Sequence, residues 1–136
     1  MDIKKIDYFK ISLEGNATEI HDLLNVFSEA GIGLLAFRAL PAKDGYKDVV
    51  LFPDDSTKMK ITAKNTGLNL IGPYPAIIIK SNTDEPGECA GIFKKLAAAG
   101  IIFEEASGIA DIFDSYGVVL YLKPEDCDKA LIALKD

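Results

Sequence analysis

The sequence predicts an α+β fold built from two tandem copies of one βαββα unit, and three observations carry that prediction. The tripeptide Ala30-Gly31-Ile32 returns as Ala99-Gly100-Ile101, 69 residues later. Val49-Val50-Leu51 returns as Val118-Val119-Leu120 at the same offset of 69, with no gap between the two anchors. Upstream, still in register, Leu23, Leu24 and Phe27 fall on Ile92, Phe93 and Leu96, and Glu19 falls on Glu88. One tripeptide match can arise by chance; two in register with an apolar pattern mark a duplication. Beyond the second anchor, Asp54 to Lys58 resembles Glu125 to Lys129 after a two-residue shift. A length of 136 residues on its own indicates one domain. The repeat overrides it and gives expected units 1–72 and 73–136.

Each element has a local reason. Ile6 to Leu13 reads as a strand. Ile20, Leu23, Leu24 and Phe27 then follow at i, i+3, i+4 and i+7, one face of an amphipathic helix. Asn16 is a good N-cap and Glu19, three positions on, completes a capping box. Gly31 ends the helix where a left-handed residue is wanted. Ile32 to Leu40 is a second strand, Pro41 to Gly45 a turn, and Tyr46 to Phe52 a third strand. Pro53-Asp54-Asp55-Ser56 introduces a weaker helix through about Asn65, closed by Gly67. Leu68 to Ile71 reads as a short fourth strand before Gly72-Pro73.

The second copy repeats the order. Ala76 to Lys80 is nearly all apolar, as a central strand is. Pro86 sits where a first helical residue is allowed. Cys89, Ile92, Phe93 and Leu96 form the apolar stripe, and Gly100 ends the helix. Ile101 to about Ala110 and Gly117 to Leu122 are paired strands, and Pro124 opens a last helix to Leu134. No fourth strand follows it. A split βαβ order gives ferredoxin-like βαββαβ units, antiparallel sheets with the helices on one face. The edge left by the missing strand needs a cover: a neighbouring unit, the N-terminal segment or a second chain. Units of roughly 60–70 residues bury only about 60% of their unfolded surface, so neither copy should be very stable alone.

Composition narrows the function. Hydrophobic residues make up 49% and charged residues 26%, ordinary for a soluble globular protein. The net charge of −6, without a Lys/Arg cluster, repels phosphate backbones and anionic lipid surfaces. No nucleic-acid or membrane partner is expected, and no apolar run approaches the length of a spanning helix. Met1 to Lys5 is not followed by an apolar signal core, so the expected compartment is the cytoplasm. Cys89 and Cys127 are far apart and lack a CxxC partner, as reduced cysteines do.

Chemistry-bearing motifs are few. There is no GxSxG, HExxH, P-loop or GxGxxG, so no enzyme and no cofactor is expected. Gly31-Ile32-Gly33 runs from helix to strand, the reverse of a dinucleotide loop. With His21 the only histidine and no clustered cysteines, a transition-metal site has too few ligands. Asp54-Asp55 and Asp84-Glu85 lack EF-hand spacing and read better as caps. The aromatics Tyr8, Phe9, Phe37, Phe52, Phe103 and Tyr121 fall in expected strands, where packing outweighs RNA stacking in so acidic a chain.

The loop Asp84 to Cys89, which includes Glu85, Gly87 and Glu88, is the best candidate binding site. It leads into a helix N-terminus, whose free N–H groups and dipole suit a carboxylate. Gly87 lets a ligand approach the backbone. Asp84 is placed to pair with an ammonium group, so the loop can hold both ends of an α-amino acid. The plainer reading is that Asp84 and Glu85 cap the helix, Pro86 starts it and Gly87 fits the turn. In the first copy the corresponding Asn16 and Ala17 form a weaker candidate, with Asn16 as a simple N-cap favoured.

Asn82-Thr83-Asp84-Glu85-Pro86-Gly87-Glu88, then Ile92 to Leu96, then Ala99-Gly100-Ile101 resembles the opening of ACT domains. Those typically read as an acidic residue, a Pro-Gly pair, an amphipathic helix with Leu at its end, and Gly-Ile-Asn-Ile. Val118 to Tyr121 followed by Asp126 to Leu131 resembles their ending. The resemblance covers essentially the whole chain as a tandem pair whose second member lacks its last strand. The first copy departs from the pattern with Gly15 to Thr18 in place of Pro-Gly. The family's Asn is replaced by Gly33 in the first copy and by Ile102 in the second. The resemblance implies a regulatory protein that binds an amino acid or similar small carboxylate at an ACT–ACT interface. There the strand–helix loop of one unit faces the second strand of a neighbour, which brings Ile101 and Ile102, and more weakly Gly33, to the ligand. It also implies a homodimer. The competing expectation is a protein–protein assembly module with no ligand.

Overall fold

Local signals set most element ends. In the computed structural model, which describes residues 1–83, 85–110 and 115–136, helix α1 (Ala17–Glu29) starts behind Asn16. The Asn16 Oδ1 accepts the Glu19 N–H at 2.9 Å, the side-chain cap expected from the sequence. At the other end Gly31, at φ 76°, turns the chain so that the Ile32 N–H reaches the Phe27 carbonyl at 3.0 Å. Helix α2 (Ser56–Thr66) is capped by Asp55, whose carboxylate accepts the Lys58 N–H at 3.0 Å. It closes on Gly67 at φ 73°. Helix α4 (Pro124–Lys135) opens on its proline. Helix α3 (Glu88–Ala98) departs from expectation: Pro86 lies in the preceding turn, and Gly87, at φ 95°, is the N-cap.

The strands are β1 (Asp2–Glu14), β2 (Leu34–Pro41), β3 (Tyr46–Pro53), β4 (Ile71–Ser81), β5 (Glu105–Ala110) and β6 (Tyr116–Tyr121). β1 starts four residues before the apolar alternation does. β4 runs unbroken through Gly72-Pro73, where the sequence reads a boundary. Gly72 makes this possible: it sits at φ 135°, and a Cβ there would lie 2.9 Å from the Tyr8 carbonyl oxygen. β5 is shorter than expected. The Ile101 N–H bonds the Leu96 carbonyl at 3.0 Å, so Ile101 finishes the helix end and is buried in the core instead of pairing as strand. Phe103 packs edge-on against Phe93, with ring centroids 5.3 Å apart.

The chain divides differently from 1–72 and 73–136. One compact unit is Asp7–Tyr74; the other joins Met1–Ile6 to Pro75–Asp136. Within Asp7–Tyr74 the strand order is β2–β3–β1–β4, and β1 and β2 both pair antiparallel with β3. Phe9, Ile11, Val49 and Leu51 point to one face, where they meet Leu23 and Phe27 of α1 and Met59 of α2. The opposite face carries Tyr8, Phe52 and Tyr74, with ring centroids 5.2 Å and 5.5 Å apart along the series.

Within the other unit the order is β1–β4–β6–β5, with residues 2–6 supplying the β1 segment. Ile77, Ile79, Val118 and Leu120 face Ile92 and Leu96 of α3 and Cys127, Ala130 and Leu134 of α4. Ile3 packs against that core. The edge that the sequence leaves uncovered is therefore taken by the N-terminal segment. Each unit has the ferredoxin-like order, with both helices on one face. Among the described residues, no helix is long and apolar enough to cross a membrane.

Candidate functional site

The two units differ at the loop that leads into their first helix. Phe9 stands opposite Leu51, and Ile77 stands opposite Leu120. The first strands thus correspond at an offset of 68 residues, while the helices and the strands after them keep 69. The extra residue lies in the second unit's loop. Six residues, 82–87, separate Ser81 from Glu88, against five, 14–18, between the corresponding Leu13 and Glu19. The helix also begins later: Ala17 and Thr18 are helical, while Pro86 and Gly87 at the corresponding places are not.

This longer loop lines an open groove of about 500 Å³. Glu85, Pro86, Gly87 and Cys89 form one wall. The other is the end of the β5–β6 hairpin, where Gly108 pairs with Val118, Ile109 with Gly117 and Ala110 with Tyr116. Gly108 sits close to its partner strand: a Cβ there would make a tight contact, 3.2 Å from the Gly117 carbonyl oxygen. A Cβ on Gly87 would meet nothing within 4 Å. Gly87 O accepts the Gly91 N–H at 3.0 Å, the first bond of α3, and the Glu88 N–H turns back to Glu85 O at 3.2 Å.

Of the expected site residues, the groove gathers Glu85, Gly87 and Cys89. Asp84 lies outside the described residues. Glu88 is committed to the loop itself: its carboxylate accepts from the Thr83 hydroxyl at 2.6 Å and the Ser81 hydroxyl at 3.4 Å. Ile101 is in the core, and Ile102 is 80% exposed; neither lines the groove. Sequence reasoning missed the hairpin wall. The small residues Gly108, Ala110 and Gly117 were its only signal.

In the first unit the corresponding place is crowded. A Cβ on Gly15 would lie 2.6 Å from the Gly45 carbonyl oxygen and 3.1 Å from the Lys47 Nζ. Asn16 is spent on its cap and Ala17 is already helical. Gly33 is crowded by Asp54, whose Oδ2 would be 2.7 Å from an added Cβ. Among the described residues, no cluster of three or more His, Cys, Asp or Glu is placed to hold a metal ion. His21 is exposed beside Asp22, 3.2 Å away.

The two thiols have opposite environments. Cys89 is exposed on the groove wall and Cys127 is buried on the inner face of α4. Burial pushes the Cys127 thiol up, partly offset by the Lys5 ammonium. Iodoacetamide should alkylate Cys89 quickly in the native protein and leave Cys127 intact until unfolding, as peptide mass mapping would show. Because the folded state raises the Cys127 pKa, its contribution to stability is complete below the unfolded thiol value and is lost as pH rises above about 8.5. Cys127→Ala should flatten that alkaline loss in urea titrations.

No family model matches the chain, and no curated protein matches it. Solved structures do. The chain is similar to the protein BT0572 from Bacteroides thetaiotaomicron, with a TM-score of 0.81 and 20% identity, covering 98% of this chain and 88% of that one. It is similar to the regulatory subunit of aspartate kinase from Thermus thermophilus in its ligand-free form, with a TM-score of 0.64 and 15% identity over 99% and 95% of the two chains. The corresponding subunit from Thermus flavus gives 0.59 and 16% over 99% and 95%. At these identities the likeness shows the fold: the α+β architecture described above is the one that regulatory subunits of aspartate kinase have.

Proposed function

We propose that the chain is a small-molecule-binding regulatory protein of the ACT type, acting without catalysis, and that it takes an amino acid or a similar small carboxylate. The observation that carries this reading is the groove of about 500 Å³ between the loop into α3 and the β5–β6 hairpin. It has the size of a small-molecule site and a mostly apolar lining with few polar groups. The N-terminal turn of α3 supplies partial positive charge for a carboxylate. Glu85 offers a counter-charge for an ammonium group. The fold shared with regulatory subunits of aspartate kinase supports the regulatory part of the reading.

The groove is open on one side, and Ile109 at its rim is 80% exposed. In a cytoplasmic homodimer a second copy would close it, making the site an interface between ACT-like units. A ligand held there moves the packing equilibrium only by its differential affinity for the two arrangements.

A second reading, assembly without a ligand, has its own support. Strand β2 is an edge strand in its unit and exposes Leu34, Leu35, Phe37 and Leu40. An exposed apolar edge invites pairing with another chain.

The deciding measurement is a thermal-shift screen of the twenty common L-amino acids, with Ala110→Glu as control. Ala110 is exposed on the groove wall, so the variant places a carboxylate in the site without disturbing the core. A ligand at about 100 times its Kd adds roughly 2.7 kcal/mol. The expected outcome is a shift with the parent protein that disappears in Ala110→Glu. No shift with any of the twenty, from well-folded protein, would favour assembly without a ligand.

A further inference from the structure

We infer that the chain holds one ligand and not two, in the Pro75–Asp136 copy alone, and that the ligand is an α-amino acid with an uncharged aliphatic side chain. The inference rests on the reading above and adds its stoichiometry and ligand class.

Duplication would ordinarily give two equivalent sites. Here the copies diverge where the ligand would sit. Lys47 and Asp48 of β3 stand where Tyr116 and Gly117 of β6 stand, and Leu13 pairs with Lys47 at the mouth of the loop. The Lys47 side chain is half-buried against Gly15, with its Cγ and Nζ each 3.1 Å from where a Cβ would be. The loop of five residues closes on it, and the helix has already begun at Ala17. The second copy has one residue more, a helix that starts later, and glycine at 108 and 117. The groove of about 500 Å³ lies between that loop and these strand ends.

The lining then selects the ligand. Among the described lining residues there is no lysine, arginine or histidine, which leaves the backbone N–H groups of the loop to meet a ligand carboxylate. Among the described lining residues Glu85 is the only carboxylate. It suits one ammonium group and repels a second anion. Ile109, Ala110, Val118 and Pro86 present carbon to whatever remains of the ligand. An aliphatic side chain is matched there, whereas a charged one is left without a partner in partly desolvated surroundings.

The test is isothermal titration of the whole protein with L-valine, L-leucine and L-isoleucine, and with L-aspartate and L-lysine as charged probes. Three variants accompany it. Ala110→Glu and Ile109→Glu load the proposed groove from two exposed positions, and Pro41→Glu loads the position that corresponds to Ala110 in the first copy. Circular dichroism selects the variants that fold. The expected result is one aliphatic ligand per chain, binding weakened at least tenfold by either groove variant and unchanged by Pro41→Glu. Two ligands per chain, a loss of binding in Pro41→Glu, or preference for a charged probe would overturn the inference while the regulatory reading stands. Absence of binding by any of the twenty amino acids would overturn the inference, and absence of binding by small carboxylates such as acetate, pyruvate and succinate as well would overturn the regulatory reading.

Discussion

Deleting Asp2–Ile6 is expected to unfold most of the Pro75–Asp136 unit while Asp7–Tyr74 keeps its core. The deleted segment is the strand beside β4 in that unit, and Ile3 is packed on the cluster formed by Ile77, Ile79 and the helices. Its removal uncovers a β4 edge whose Ala76, Ile77 and Ile79 are fully buried in the intact protein. Strand hydrogen bonds contribute about 0.5–1.5 kcal/mol each, and burial of an isoleucine about 1.5–3 kcal/mol. The sum is on the order of 5 kcal/mol, a large part of the 5–15 kcal/mol that holds a typical domain. The Lys5–Asp128 ion pair, 3.4 Å long and exposed at both ends, is a minor term of under about 1 kcal/mol. Lys5→Ala should therefore be close to neutral where the deletion is not. Hydrogen exchange makes the distinction: amides of α3, α4 and β6 should lose protection, and those of α1 and β3 should keep it. Equal loss throughout, or no loss, would refute this account of the unit.

Phe27→Ala should cost about 3–5 kcal/mol and its repeat partner Leu96→Ala about 2–5 kcal/mol. Both side chains are almost completely buried, in equivalent places of the two cores: Phe27 among Phe9, Leu23 and Met59, Leu96 among Ile92, Leu120 and Cys127. Truncation removes the transfer free energy of the lost atoms and leaves a cavity that the close-packed strand face cannot refill. The urea midpoint should fall in each variant with little change in slope, because the surface exposed on unfolding barely alters. A loss of less than about 1 kcal/mol at either site would mean that the position is not a core site.

Much of this architecture is legible from residues alone. Asn16 caps α1 and Gly67 ends α2 because each is a local arrangement of side chain and backbone within one turn. The stripe Leu23, Phe27 and its echo Ile92, Leu96 is buried because helical spacing carries its own direction. The departures have the opposite character. Gly72-Pro73 reads as a boundary, yet a strand passes through it, since Gly72 fits against the Tyr8 backbone where a side chain would not. Ile101 and Ile102 read as a strand opening beside a ligand, whereas the end of α3 draws Ile101 into the core. Only the loop half of the candidate site is visible in sequence. Its other wall comes from the β5–β6 pair, which begins at Gly108 in the lining, well downstream of Cys89.

The sequence by itself determined the duplication, the helices with their caps, the alternation of the central strands and the absence of known catalytic motifs. Each of these is written in residues that touch along one turn, one strand or one fixed repeat offset. The tertiary structure decided which strand closes which unit and where the groove beside the loop into α3 opens. Those outcomes depend on pairings between distant segments, residues 2–6 beside β4 and the 85–89 loop against residues 108–110 and 116–118. Local chemistry makes such pairings possible, but side-chain volume and backbone hydrogen bonding across the fold select among them.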